Sequence, residues 1–117
     1  MKKILRKIRL RVLHFYKVIK KGKGVLPKDN ASVECHYKGT TIDGKEFDSS
    51  YKRGEPATFS INGVIKGFSE ALKLMNVGSK WEIFIPSSLG YGDRGSGNII
   101  PPGATLIFEI ELLGIEK

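Results

Sequence analysis

From Val33 to Lys38 apolar and polar side chains alternate strictly, with Val33, Cys35 and Tyr37 set against Glu34, His36 and Lys38. That is the two-residue period of a strand with one face on a core. Asp43-Gly44 then supplies turn residues that tolerate positive φ, and the chain returns through Glu46 and Phe47, which together describe a hairpin. A chain built around such a hairpin is committed to a sheet with one buried face, and Tyr37 carries its hydroxyl towards that face. The return arm ends in Phe47-Asp48. A carboxylate at the inward end of a strand is expensive unless it is partnered, so this pair points to function rather than to packing.

The rest of the chain supports the same architecture. A polar turn from Tyr51 to Pro56 leads into a short strand in which Ala57, Phe59 and Ile61 alternate inward, and Asn62-Gly63 breaks it. Phe68, Ala71, Leu72 and Met75 then recur at i, i+3, i+4 and i+7. This spacing predicts a helix with Lys66, Ser69, Glu70 and Lys73 outside, stopped by Asn76-Val77-Gly78. Trp81, Ile83 and Ile85 mark another strand, and Leu106, Phe108, Ile110 and Leu112 mark the last. Between them Pro86 to Thr105 reads as a long loop rich in glycine and proline that also carries Tyr91, Ile99 and Ile100. Loops of that length inside a compact domain usually serve function. A first strand is expected from about Val12 to Ile19, closed by Lys20-Lys21-Gly22-Lys23-Gly24. The expected fold class is therefore α+β: about five antiparallel strands curved around one short helix, with an apolar cleft where the helix start meets the long loop.

A length of 117 residues allows one core and not two. The formal net charge of +8 would suggest a polyanionic partner, but residues 1–24 hold ten Lys or Arg and no acid, whereas residues 25–117 hold ten basic and twelve acidic residues. The basicity thus belongs to the N-terminal segment and not to the body of the chain, and the expected division is a basic arm, residues 1–12, followed by a domain at 13–117. Ile4, Ile8 and Val12 have helical spacing, yet Lys or Arg interrupts every apolar run, which excludes a membrane span and a signal peptide's apolar stretch of roughly 7 to 15 residues. A basic helix on an anionic membrane and a nucleic-acid arm are the alternatives. The plainer reading is a solvated terminus whose last part joins the sheet, with no specific nucleic-acid partner. A cytoplasmic location is expected, and a periplasmic or exported one if the reading frame begins further upstream.

Several chemistries are excluded. The lone Cys35 lies on the apolar face and reads as a small core hydrophobe. With two histidines, one just after the basic arm (His14) and one on the outward face of its strand (His36), no metal-ligand cluster is available. No Ser-His-Asp order, Cys-His pair, close carboxylate pair or phosphate loop is present. No cofactor is expected.

Five blocks carry a family resemblance: His36-Tyr37-Lys38-Gly39, Asp43 through Ser50, Val64-Ile65-Lys66-Gly67-Phe68, Leu89-Gly90-Tyr91-Gly92 and Ile99 through Phe108. In order and spacing they resemble the signature blocks of FKBP-type peptidyl-prolyl cis-trans isomerases over roughly residues 16 to 115. The wording from Phe47 to Phe59 is most similar to the bacterial macrophage-infectivity-potentiator branch. The resemblance implies non-covalent isomerisation of Xaa-Pro bonds in peptides and flexible protein segments, with preference for an apolar residue before proline. A non-catalytic module for proline peptides or macrolides is the alternative. It implies a proline pocket formed by Tyr37, Phe47, Phe59, Val64, Ile65, Phe68 and Phe108, with Phe68 as its floor. Ile65 would hold a substrate carbonyl through its backbone N–H, Tyr91 would donate a second hydrogen bond, and Asp48, held by Arg53, would orient polar groups around the rotating bond. Ile100 would meet the residue before proline. Phe68 stands where well-known eukaryotic members have Trp, which implies a change in pocket depth. The long dimerisation helix usual in that branch has no counterpart here, so a monomer is expected.

Overall fold

The computed structural model describes residues 5–7, 15–97 and 99–116. Its strands are β1 (Leu5–Lys7), β2 (Phe15–Lys20), β3 (Ser32–Thr41), β4 (Glu46–Ser49), β5 (Ala57–Ser60), β6 (Lys80–Ile85) and β7 (Leu106–Glu116), with helices α1 (Ser50–Arg53) and α2 (Lys66–Leu74). All strand pairs are antiparallel, in the order β1-β2-β6-β7-β3-β4, and β5 pairs with β3 as well. The α+β class is the one the pattern predicts. The sheet is wider than the expected five strands, having seven. Part of the difference lies in the arm, where Leu5–Lys7 pairs with Phe15–Lys17 as an edge strand; the helical spacing of Ile4, Ile8 and Val12, like His14, lies outside the described residues.

The spine is β3. One of its sides runs along β7 for its whole length; the other is shared, β5 pairing with Ser32–Cys35 and β4 with Lys38–Thr40. Its burial alternates as the sequence requires, with Val33 and Cys35 fully enclosed and Tyr37 nearly so. Burial pushes the Cys35 thiol up to about 12, with the charge of Glu34 adding to the effect, so it is a protonated core group at neutral pH. The sheet wraps α2 closely. A Cβ on Gly67 would lie 2.7 Å from the Ile85 side chain, so glycine is what lets the helix backbone approach β6. A curved sheet covers more than one stripe of a helix: Gly67, Phe68, Ser69, Ala71 and Leu72 are all buried. Ser69, expected outside, is therefore enclosed.

Two local features go beyond the sequence pattern. The polar turn after the hairpin contains a helical turn, α1, capped by the Ser49 side chain on the Lys52 N–H and closed by Gly54 at φ 79°. His36, on the outward face of β3, is held in place: its ring stacks on Tyr51 at 4.5 Å and its Nδ1 lies 2.8 Å from Ser50 Oγ. The Ser50 hydroxyl also accepts from the Tyr37 N–H at 2.7 Å, so His36 and Ser50 lock α1 onto β3. Among the described residues no helix is long and apolar enough to cross a membrane.

Candidate active site

Where the start of α2 meets the sheet and the long loop, a cavity of about 330 Å³ opens to solvent. Tyr37, Phe47, Asp48, Phe59, Val64, Ile65, Phe68, Tyr91, Ile100 and Phe108 all line it. The rings meet edge to face around Phe68, with centroids 5.2 Å from Phe108, 5.5 Å from Phe59 and 6.0 Å from Tyr37. Such contacts fix ring orientation as well as burying area. Ile65 occupies the N-cap position of α2, where no side chain caps the helix; the first N–H groups of a helix have no intrahelical partner.

Phe47 and Asp48 are consecutive, and in a regular strand they would face opposite ways. Both line the cavity because β4 carries an extra residue: Gly39 pairs with Asp48, and Thr40 pairs with Glu46, leaving Phe47 as a bulge. Gly39 makes room for it. A Cβ there would come within 2.6 Å of Phe47 and 2.8 Å of Phe108, and those two rings pack perpendicular at 5.5 Å directly over the glycine. Neither the bulge nor the role of Gly39 was read from the sequence, although a glycine at an inward strand position was a visible signal. Gly39→Leu is therefore expected to displace Phe47 and lower kcat/KM by about tenfold, while circular dichroism stays that of a folded sheet; unchanged kinetics would count against this packing.

Asp48 lies at the mouth rather than in the interior, its side chain 42% exposed. The Tyr37 hydroxyl donates to its Oδ2 at 2.6 Å, Arg53 Nη1 donates to Oδ1 at 2.7 Å, and Arg53 Nη2 donates to the Tyr37 hydroxyl at 2.8 Å. The helical turn α1 is what carries Arg53 back to this position. Partial desolvation alone would raise the Asp48 carboxyl, but the hydrogen bonds from Tyr37 and Arg53 and the guanidinium charge outweigh it and hold the group below the usual carboxylate range. Burial, and then the hydrogen bond to Asp48, raise the Tyr37 hydroxyl, so it remains a donor at neutral pH.

Gly63, Ser96 and Ile99 also line the cavity and were not among the expected site residues. Ile99 is one of the apolar members of the loop; Ser96 is brought in by a bridge in which its N–H donates to the Ile100 carbonyl at 2.8 Å and its own carbonyl accepts from the Ile100 N–H at 3.1 Å. Tyr91 reaches the cavity from the same loop, 37% exposed. Among the described residues no three His, Cys, Asp or Glu side chains converge as a metal would require.

Comparison with known proteins agrees with this geometry. Residues 23–113 match the family model for FKBP-type peptidyl-prolyl cis-trans isomerase. The chain is 57% identical over 100 residues to an FKBP-type 22 kDa peptidyl-prolyl cis-trans isomerase of Escherichia coli, covering 86% of this chain and 48% of that protein. It is 49% identical over 102 residues to the outer membrane protein MIP of Legionella longbeachae, covering 87% and 44%. The chain thus spans about half the length of these two relatives. The crystal structure of a peptidyl-prolyl cis-trans isomerase from Pseudomonas syringae superposes with a TM-score of 0.87 at 35% identity, covering 97% of this chain and 81% of that one. The name of the Legionella relative gives the expected cytoplasmic location no support. With the signature blocks assembled around one aromatic cavity and a family model matched over most of its length, the chain belongs to the FKBP-type peptidyl-prolyl cis-trans isomerase family.

Proposed function

We propose that this domain catalyses cis-trans isomerisation of Xaa-Pro bonds in peptides and flexible protein segments, without covalent chemistry. The observation that carries the proposal is the cavity itself, walled by interlocked rings and ringed by hydrogen-bonding groups. Rotation about a peptide bond meets a barrier of roughly 18–20 kcal/mol because amide resonance must be lost, and Xaa-Pro bonds isomerise unaided in tens to hundreds of seconds. The planar amide is more polar than the twisted one, so an apolar enclosure disfavours the ground state more than the transition state. Each ~1.4 kcal/mol of that difference is tenfold in rate. Phe68 then serves as the floor under the proline ring, with Tyr37, Phe47, Phe59, Val64 and Phe108 as walls and Ile100 against the preceding residue. The Ile65 N–H and the Tyr91 hydroxyl hold substrate carbonyls, and Asp48 orients polar groups at the mouth, with Arg53 as its positioning residue.

A coupled peptide assay or exchange spectroscopy with Leu-Pro and Phe-Pro substrates tests this: faster exchange between proline isomers is the expected result, and binding without it would leave only a binding module. Asp48→Ala and Tyr91→Phe are each expected to reduce turnover by about tenfold, the worth of one or two hydrogen bonds, with little change in stability. Full turnover in both would remove these roles. The pH dependence follows from the depressed carboxyl of Asp48. A carboxylate whose folded pKa is lowered makes its contribution above its ordinary value and loses it as pH falls through the folded one. Turnover at a fixed peptide is thus expected to be flat from neutral pH down to the ordinary carboxylate range and to fall only below it; a pH–rate profile that declines earlier would mean another group controls the rate.

A macrolide is the second ligand class for the same cavity, tested by its competition with peptide turnover. For location we favour the periplasmic or exported alternative, on the strength of the Legionella relative's name; fractionation of cells expressing the native gene checks it.

A further inference from the structure

Beside the catalytic cavity lies a second hollow of about 500 Å³, and Ile99 is part of the wall of both. Ile42 and Ile99, two of the most exposed aliphatic side chains of the described residues at 66% and 54%, stand on it. An exposed isoleucine is costly to solvate and here has an apolar neighbour across a gap rather than a packing partner. Both walls are preformed by backbone hydrogen bonds. On one side Thr41 N–H donates to the Lys45 carbonyl and Gly44 N–H to the Thr41 carbonyl, each at 2.9 Å, and the Thr41 hydroxyl bonds the Asp43 carboxylate. On the other, Gly103 N–H donates to the Gly92 carbonyl at 2.9 Å and Ala104 N–H to the Pro101 carbonyl at 3.3 Å.

We infer that this hollow is a substrate subsite that takes the side chain two positions before proline, and that it prefers an aliphatic one. The inference rests on the isomerase reading above, in which Ile100 meets the residue immediately before proline. From there the peptide runs towards its N-terminus across the loop, and Ile99 is the loop residue that both hollows share. In an extended peptide, side chains two residues apart face the same way about 7 Å apart. With a proline seated in the first cavity and the upstream chain extended over the loop, the residue two positions before it comes to the second hollow, while the residue between them stays against Ile100. Asp43 and Lys45, of opposite charge, share the hollow with the apolar groups, so neither sign of substrate charge is favoured there and the discriminating surface is Ile42, Ile99 and Ala104.

The test compares Leu-Leu-Pro-Phe with Ala-Leu-Pro-Phe peptides, which differ only at that position. With the wild-type protein the leucine peptide is expected to have about fivefold higher kcat/KM, through KM, as a few partly buried methylenes provide. Ile42→Ser alters a solvated side chain outside the catalytic cavity; it is expected to lower kcat/KM for the leucine peptide more than for the alanine peptide and so to bring the two within twofold of each other. In parallel, amide chemical shifts of Ile42, Ala104 and Thr105 should move on titration with the leucine peptide and not with the alanine peptide. Equal acceleration of both peptides, or a leucine preference that Ile42→Ser leaves intact, overturns the subsite while leaving the isomerase reading in place. Acceleration of neither peptide overturns the isomerase reading; shifts at Ile42, Ala104 and Thr105 would then still uphold the subsite as a binding surface, and their absence would overturn both.

Discussion

Phe68→Ala is expected to cost about 3–5 kcal/mol of folding stability, the range for removing a buried phenylalanine and leaving part of its cavity open. For a domain of this size that corresponds to a fall in Tm of roughly 12–20 °C. The reason is position: the ring is 3% exposed and makes edge contacts with Tyr37, Phe59 and Phe108 at once. The same ring lies on the inner side of α2 and on the cavity. Its loss therefore joins the cavity to the core beneath and lets the surrounding rings relax inward. Turnover, measured well below the lowered Tm so that the variant is folded, is expected to fall at least about tenfold. Phe68→Trp is the counterpart: it keeps the floor aromatic, should cost no more than the 1–3 kcal/mol of typical overpacking, and should change KM more than kcat. Urea unfolding and peptide kinetics on both variants check this, and an alanine variant with the wild-type midpoint and rate would show that Phe68 supports neither the core nor the cavity.

What the sequence makes legible is what is local. Period two in Val33, Cys35 and Tyr37 and the i, i+3, i+4 set of Phe68, Ala71 and Leu72 each describe an element from its own residues, and those residues are buried. The ten residues expected at the cavity do line it, although it was the family resemblance and not periodicity that collected them. The features that escaped depend on contacts between distant segments. The bulge at Phe47 exists because Gly39 leaves space that Phe47 and Phe108 fill, and no window around Phe47 contains Phe108. Alternation in a regular strand would also have turned either Phe47 or Asp48 away from the cleft. Ser69 is enclosed by the curvature of the sheet, and His36 is held by α1; neither cause can be seen from neighbours in the chain. Asp48 illustrates the same limit in energetic terms. Expected inside, it sits at the mouth, where Arg53 and Tyr37 can satisfy it without full desolvation.

Gly95→Ala is expected to uncouple activity from stability. Gly95 has φ +69°, and a Cβ there would lie 2.1 Å from the Ile100 carbonyl oxygen and 2.8 Å from the Pro101 carbonyl carbon. Both are backbone atoms, so no rotamer change relieves the overlap. The bridge between Ser96 and Ile100 must open, and with it move Ile99, Ile100 and Tyr91, which reach the cavity from this loop. A misplacement of about 1 Å in groups that position a substrate can cost 100-fold, and a loss of tenfold to 100-fold in kcat/KM is roughly what is expected. Stability should fall by only about 1–2 kcal/mol, because the loop can open locally while the sheet and α2 stay packed. Gly97 supplies the control. It too has positive φ, 53°, but a Cβ there would meet nothing within 4 Å, so Gly97→Ala carries only the left-handed strain of about 1–2 kcal/mol and should keep activity within about threefold. Thermal unfolding and peptide kinetics on the pair separate the two causes: a large activity loss in Gly95→Ala alone identifies the steric overlap, whereas equal losses would assign the effect to backbone strain and free the Ser96–Ile100 bridge from any part in shaping the cavity.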